Sequence, residues 1–206
     1  LAKVDKTDTV CFVYFRRFDM KKKIIELIKE DIEVKNALIK TQVSNIEALA
    51  RMMLATVKSG NKILIFGNGG SAADSIHITA ELVGRFRKER EALPAIALST
   101  NVSTLTALGN DYGFEAIFER QVEALGKEGD MALGISTSGK SKNVIRAIEK
   151  ASKMNMKTAV LIGKSKGALV EIADVSVNVP SNSTPRIQES HSIIGHIVCE
   201  IIEDAL

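Results

Sequence analysis

This sequence predicts an α/β fold built on a parallel sheet, and three observations predict it. Five short apolar runs have strand length and composition: Ile63 to Phe66, Ala95 to Leu98, Met131 to Ile135, Thr158 to Ile162 and Val175 to Val179. Helical patterns fall between them, at Ser103 to Leu108, Phe114 to Leu125, Ser141 to Met154 and Lys166 to Ile172, with a last helix from about Pro185 to Leu206. The first run leads through the glycine turn Gly67, Asn68, Gly69, Gly70 into a segment of helical character that Ser71 is placed to cap. Strands alternating with helices give a parallel sheet covered on both faces. Right-handed crossovers then put the loops that follow the strands along one edge, where such folds bind ligands.

Ahead of this part, Lys21 to Ser59 repeats apolar residues at threes and fours, among them Ile24, Leu27, Ile28, Ile32, Leu38, Val43, Ile46, Leu49 and Met53. No Gly or Pro interrupts the pattern before Gly60, so it reads as one long helix or a helical hairpin. Its apolar face needs a partner, which another subunit can supply. Residues 1–19 read differently: position 1 is not Met, whereas Met20 opens MKKKIIELIKE, a plausible native start. They are taken as a leader or added segment, 20–60 as a helical region packing on the domain and its neighbours, and 61–206 as the α/β domain.

Composition narrows the function. The net charge of +3 comes from interleaved signs and gives no reason to expect nucleic acid. The basic cluster Arg85, Arg87, Lys88, Arg90 is broken by Glu89 and Glu91 and reads as a solvated helix end. The two cysteines, Cys11 and Cys199, make no disulfide framework, which suits a reducing cytoplasm. No apolar run is long enough to cross a membrane.

Three loops at the predicted edge carry the candidate chemistry. The first, residues 67–71, meets the loose dinucleotide fingerprint with Ala72. The second strand, however, ends in Ser99 and Thr100, without the acid that would hold a ribose. The second, GISTSGKS, fits the P-loop pattern through Gly134, Gly139, Lys140 and Ser141. Against a nucleotide enzyme, no other strand ends in Asp to help hold magnesium, and the interior Ser136, Thr137, Ser138 is rich in hydroxyls. Hydroxyls and backbone N–H groups at a helix N-terminus suit a single phosphate monoester. The third, Ser99 to Asn110, leads to Asp111 and Tyr112, with Asn101 and Ser103 in cap or turn positions.

Taken together, GNGGSAADSIHITAEL, STSGKS, LGND and RIQESHSIIGHIVCE resemble the phosphoheptose isomerases, a family of sugar isomerase (SIS) domain proteins. The resemblance runs from about Met20 to Leu206 and is most specific in the pairing of HxxAE with a late QxxxxxxxH. It implies a three-layer α/β fold with a five-stranded parallel sheet, a homotetramer, and conversion of sedoheptulose 7-phosphate to D-glycero-D-manno-heptose 7-phosphate. That reaction is the first step toward nucleotide-activated heptose for bacterial surface glycans. By position, the metal or proton-transfer groups fall on His77, Glu81, Gln188 and His196. The phosphate contacts fall on Ser136, Thr137, Ser138 and Ser141, with Ser71 nearby. The remaining substrate contacts fall on the glycine turn (Asn68, Gly69, Gly70) and on Asp111 and Gln188. Pro185 stands where a small or polar residue is expected, and Lys140 stands where Asn is common.

The residues themselves allow this chemistry. Moving a carbonyl between C2 and C1 needs a base for the carbon-bound proton and an acid/base for the oxygens, roles that Glu81 and His196 can fill. His77 and Glu81, at i and i+4, share a helix face. Gln188, Ser192 and His196 form a stripe whose ends lie ~12 Å apart along the axis. His191 is nearer to Gln188, and geometry alone does not choose between the two histidines. Two His, one Glu and a Gln oxygen suit zinc. A catalytically silent SIS protein that binds a phosphosugar or a protein partner is the alternative.

Overall fold

The computed structural model describes residues 19–164 and 167–206, so the expectation for 1–19 falls almost wholly outside the described residues. The N-terminal pattern forms a single helix, α1 (Met20–Lys58), not a hairpin. Asp19 caps it, its side chain accepting from the Lys22 N–H. Thereafter come β1 (Ile63–Gly67), α2 (Gly70–Val83), β2 (Ala95–Ala97), α3 (Val102–Tyr112), α4 (Glu119–Leu125), β3 (Met131–Ser136), α5 (Lys142–Lys153), β4 (Lys157–Ile162), α6 (Ala168–Ile172), β5 (Val175–Asn178) and α7 (Thr184–Asp204). The helix expected over Phe114 to Leu125 is broken: a 3₁₀ turn, Phe114–Ala116, precedes α4. Ile117 and Phe118, between the two pieces in sequence, are buried in the core with Leu64 and Phe66.

All five strands are parallel, in the order β2-β1-β3-β4-β5. Alternate side chains of each strand serve opposite faces. Ile63, Ile65, Met131, Leu133 and Ile135 pack with Leu38, Ile46, Leu49 and Met53 of α1, with Ile78 and Leu82 of α2, and with Ile194, Val198 and Ile202 of α7. Leu64, Phe66, Ala132, Val160 and Ile162 pack against α4, α5 and α6. β1 and β3 are therefore buried along their whole length, as the inner strands of a doubly covered parallel sheet must be.

Before Ile46 much of α1 lacks such cover, Leu38 excepted. Ile24, Ile25, Leu27, Ile28, Ile32, Ile39 and Val43 are exposed, whereas Leu49, Ala50 and Met53 of its second half are sealed against the domain. Among the described residues no helix is long and apolar enough to cross a membrane. The basic cluster after α2 is tied to the end of α7. Glu203 accepts the backbone N–H groups of Phe86, Arg87 and Lys88 and pairs with Arg90, while Arg87 and Lys88 pair with Glu200 and Asp204.

Candidate active site

From β1 the chain goes to β2 on one side and then returns to β3 on the other. Strand order thus reverses between β1 and β3, which is where open α/β sheets bind ligands. Gly67 and Ile135 are register partners, so the glycine turn and the STSGKS turn leave the sheet side by side. A reciprocal amide pair clamps the two turns together: Asn68 Nδ2 donates to Asn143 Oδ1 and Asn143 Nδ2 to Asn68 Oδ1, each at 2.9 Å. Asn143, a buried amide in the first turn of α5, was not singled out from the sequence. A polar side chain on the apolar face of that helix was the available signal.

The cap expected at Ser71 is instead Gly69, and backbone does the capping. The Asn68 carbonyl accepts the Ser71 N–H and the Gly69 carbonyl those of Ala72 and Ala73. Gly69 has φ of 55°, a conformation that other residues strain to adopt. Ser71 is buried inside the first turn. At Gly70 a Cβ would lie 2.1 Å from Gln188 Nε2, so glycine there lets α7 lay its Gln188 amide on the turn.

α2 and α7 pack in parallel, and their rungs can be read off directly. Gln188 lies on Gly70, Ser192 Oγ donates to Asp74 Oδ1 at 2.9 Å, and His196 Nε2 sits 3.3 Å from His77 Nε2. His77 Nε2 is also 3.3 Å from Glu81 Oε1. One ligand atom each from His77, Glu81 and His196 can be chosen so that all lie within 4.8 Å of one another, in a group open to solvent. Three such atoms converging on one point are what a divalent ion requires. The ring of Phe86 packs on His196, with centroids 5.4 Å apart. Asp74, in the middle rung, was also missed. Burial raises its pKa, opposed by the Ser192 hydrogen bond and by His77.

The structure separates the residues that sequence left together. His196 faces α2, whereas His191 is fully buried on the sheet side, and burial pushes its pKa down to about 4 against a smaller opposing influence of the Ile162 backbone. The Gln188 amide lies at the Gly70 end of α2, about two helical turns from His77. Asp111 is exposed on the last turn of α3 and accepts from Asn110 at 2.7 Å.

In the STSGKS turn, the Ser136 and Ser141 hydroxyls bond to each other at 2.9 Å, while Thr137 and Ser138 line a cavity of ≈ 440 Å³. β3 runs on to Ser136, so Gly134 is a strand residue, and a Cβ there would meet Val144 at 2.9 Å. Only Thr137 to Ser141 is left as a turn. That is too short to wrap the phosphates of a nucleotide as a P-loop does, whose glycine-rich loop follows the strand.

Over most of its length the chain is similar to proteins already known. The family model described as SIS domain matches residues 28–163. A phosphoheptose isomerase from Aquifex aeolicus is 52% identical over 185 residues, covering 90% of this chain and 97% of the relative. Among solved structures, the phosphoheptose isomerase of Neisseria gonorrhoeae superposes with a TM-score of 0.86 at 40% identity, covering 90% of this chain and 100% of the other. That of Francisella tularensis gives 0.87 at 39% identity, with 91% and 100% covered.

Proposed function

The chain belongs to the phosphoheptose isomerases of the SIS-domain family, and we propose that it converts sedoheptulose 7-phosphate to D-glycero-D-manno-heptose 7-phosphate. The observation that carries the residue-level reading is the convergence of His77, Glu81 and His196 beside the β1–β3 crevice. In this reading Glu81 takes a proton from C1 of the open-chain ketose and returns it at C2 through a cis-enediol. His196 moves the accompanying proton between the two oxygens. The glycine turn and Asp111 contact the sugar, and the hydroxyls of Ser136, Thr137, Ser138 and Ser141 receive its phosphate. Gln188, with its amide over Gly70, is better placed to contact substrate at the glycine turn than to share an ion with His196.

His77, Glu81 and His196 would hold a zinc ion, their nitrogen and carboxylate donors being of the right type and near one another. When bound, zinc supplies Lewis-acid polarisation of the sugar carbonyl. The exposed apolar stripe on the first half of α1, together with Ile193, Ile197 and Ile201 on α7, supports a homotetramer with the α7 site near a subunit contact. A cytoplasmic enzyme supplying heptose for surface glycans is consistent with this activity.

The test is exchange of the C1 proton of sedoheptulose 7-phosphate with solvent deuterium, followed by NMR. Glu81→Gln keeps the shape and removes the base. It should fold, bind the sugar phosphate and lose at least ~10²-fold in both exchange and turnover. Exchange at the wild-type rate in that variant would show that Glu81 is not the base.

A further inference from the structure

Glu81 lies in the last turn of α2, where carbonyls run out of partners within the helix. A base in that position needs its backbone held, and the last turn has no basic residue of its own. The donors come from outside the helix. Arg90 Nη2 donates to the Glu81 carbonyl at 2.7 Å, and Nη1 to the carbonyls of Leu82 and Glu91 at 2.9 Å each. The Leu93 N–H adds a second bond to the Leu82 carbonyl at 3.0 Å. Arg90 is the buried member of its basic cluster. Its side chain is 10% exposed, whereas those of Arg85, Arg87 and Lys88 are at least 60% exposed.

The same guanidinium is tied to α7. Arg90 Nε lies 3.2 Å from Glu203 Oε1, on a side chain only 3% exposed. Glu203 follows His196 by seven residues, two turns further along one face, and so extends the ladder of rungs between α2 and α7. Its oxygens also accept the backbone N–H groups of Phe86 at 2.9 Å, Arg87 at 2.6 Å and Lys88 at 2.8 Å. Those bonds fold the turn after α2 onto α7 and set the Phe86 ring on His196. Burial alone would raise the Glu203 pKa, but the three N–H groups and Arg90 together hold it below the usual carboxylate value. A buried ion pair adds little stability over an apolar pair of the same shape; what this one supplies is fixed geometry.

We propose that Arg90 and Glu203 are positioning residues for the proton-transfer groups. Arg90 fixes the helix end that carries Glu81, and Glu203 fixes the turn that presses Phe86 against His196. This rests on the isomerase reading above, in which Glu81 and His196 move the protons, and it assigns their alignment to a pair that touches no reacting atom.

Wild type is compared with Arg90→Lys, Phe86→Leu, Phe86→Tyr and the control Lys88→Gln. Arg90→Lys keeps a cation for Glu203, but one ammonium cannot span the carbonyls that the guanidinium fork holds. Phe86→Leu removes the ring and leaves the ion pair intact. Each should lower kcat for sedoheptulose 7-phosphate roughly 10- to 100-fold, the scale of a misplacement of about 1 Å, with KM within about threefold. Phe86→Tyr, which keeps the ring, and Lys88→Gln, which removes only an exposed ion pair, should stay near wild type. The chain has three histidines, so the imidazole NMR signals of histidine-labelled protein can be followed one by one. Arg90→Lys should shift the His196 signals and leave those of buried His191 in place. Unchanged kcat in both Arg90→Lys and Phe86→Leu, or unmoved His196 signals in Arg90→Lys, would reduce the pair to a structural tie and overturn the proposal. If wild type does not turn over sedoheptulose 7-phosphate while Arg90→Lys still moves the His196 signals, the substrate reading fails and the positioning role stands.

Discussion

His191 should make stability depend on pH in a window that can be calculated. Its imidazole is fully buried, and neither ring nitrogen has a well-formed hydrogen bond. Burial lowers its pKa from 6.5 to about 4 in the folded chain. The unfolded chain therefore binds more protons than the folded one between those values, so stability falls as pH falls from about 6.5 toward 4 and is flat above 6.5. Lowering the pKa from 6.5 to about 4 corresponds to about 3 kcal/mol, a large part of a typical folding free energy of ~5–15 kcal/mol. His191→Leu removes the titrating group and leaves no unpaired polar atoms. Urea denaturation of both proteins at one protein concentration, at pH 4.5, 5.5, 6.5 and 7.5, should show the wild type losing stability relative to the variant as pH drops. Parallel curves across that range would mean that His191 is solvated or hydrogen-bonded in the folded state, and the reasoning would fail.

Three other outcomes follow from the same geometry. His196→Ala should be nearly as damaging to turnover as Glu81→Gln, while His191→Ala lowers stability and leaves kcat within about threefold; equal kcat losses in the two histidine variants would undo the assignment. Ser136→Ala with Ser138→Ala should raise KM more than it lowers kcat, because these groups hold a part of the substrate remote from the reacting carbons; wild-type affinity in the double variant would place the phosphate elsewhere. Light scattering at micromolar concentration should give four chains, and Ile28→Glu with Ile32→Glu on the exposed stripe of α1 should lower that mass; a wild-type mass of one chain refutes the tetramer.

Much of the fold was legible because its signals are local. Apolar runs of strand length, separated by helical patterns, mark a parallel sheet wherever they occur. Each of the five runs became a strand, within a residue or two at its ends. The long periodic segment before Gly60 had no breaker and stayed one helix. The pairing of His77 with Glu81 needed only helical spacing. Where sequence misplaced a feature, tertiary packing had overridden a local rule. Ser71 is a good capping residue, but the close approach of α7 and the backbone path through Gly69 pulled it inside the helix. Phe114 to Leu125 reads as one helix, but burying Ile117 and Phe118 together required a break.

The sequence by itself determined the α/β class, the glycine turn, the hydroxyl-rich turn and one face carrying His77 and Glu81. Tertiary structure alone decided which groups meet across elements. His191 and His196 are five residues apart, so on a helix they point about 140° from each other. Which one meets His77 depends on how α7 is rotated against α2. That rotation is set by side-chain packing: Gly195 admits Ile78, Gly70 admits Gln188, and Ser192 bonds to Asp74. A periodic pattern specifies a face of a helix but not what that face is pressed against. The partnership of His196 with His77, and the confinement of His191 to the sheet side, therefore come from contacts more than a hundred residues apart in sequence.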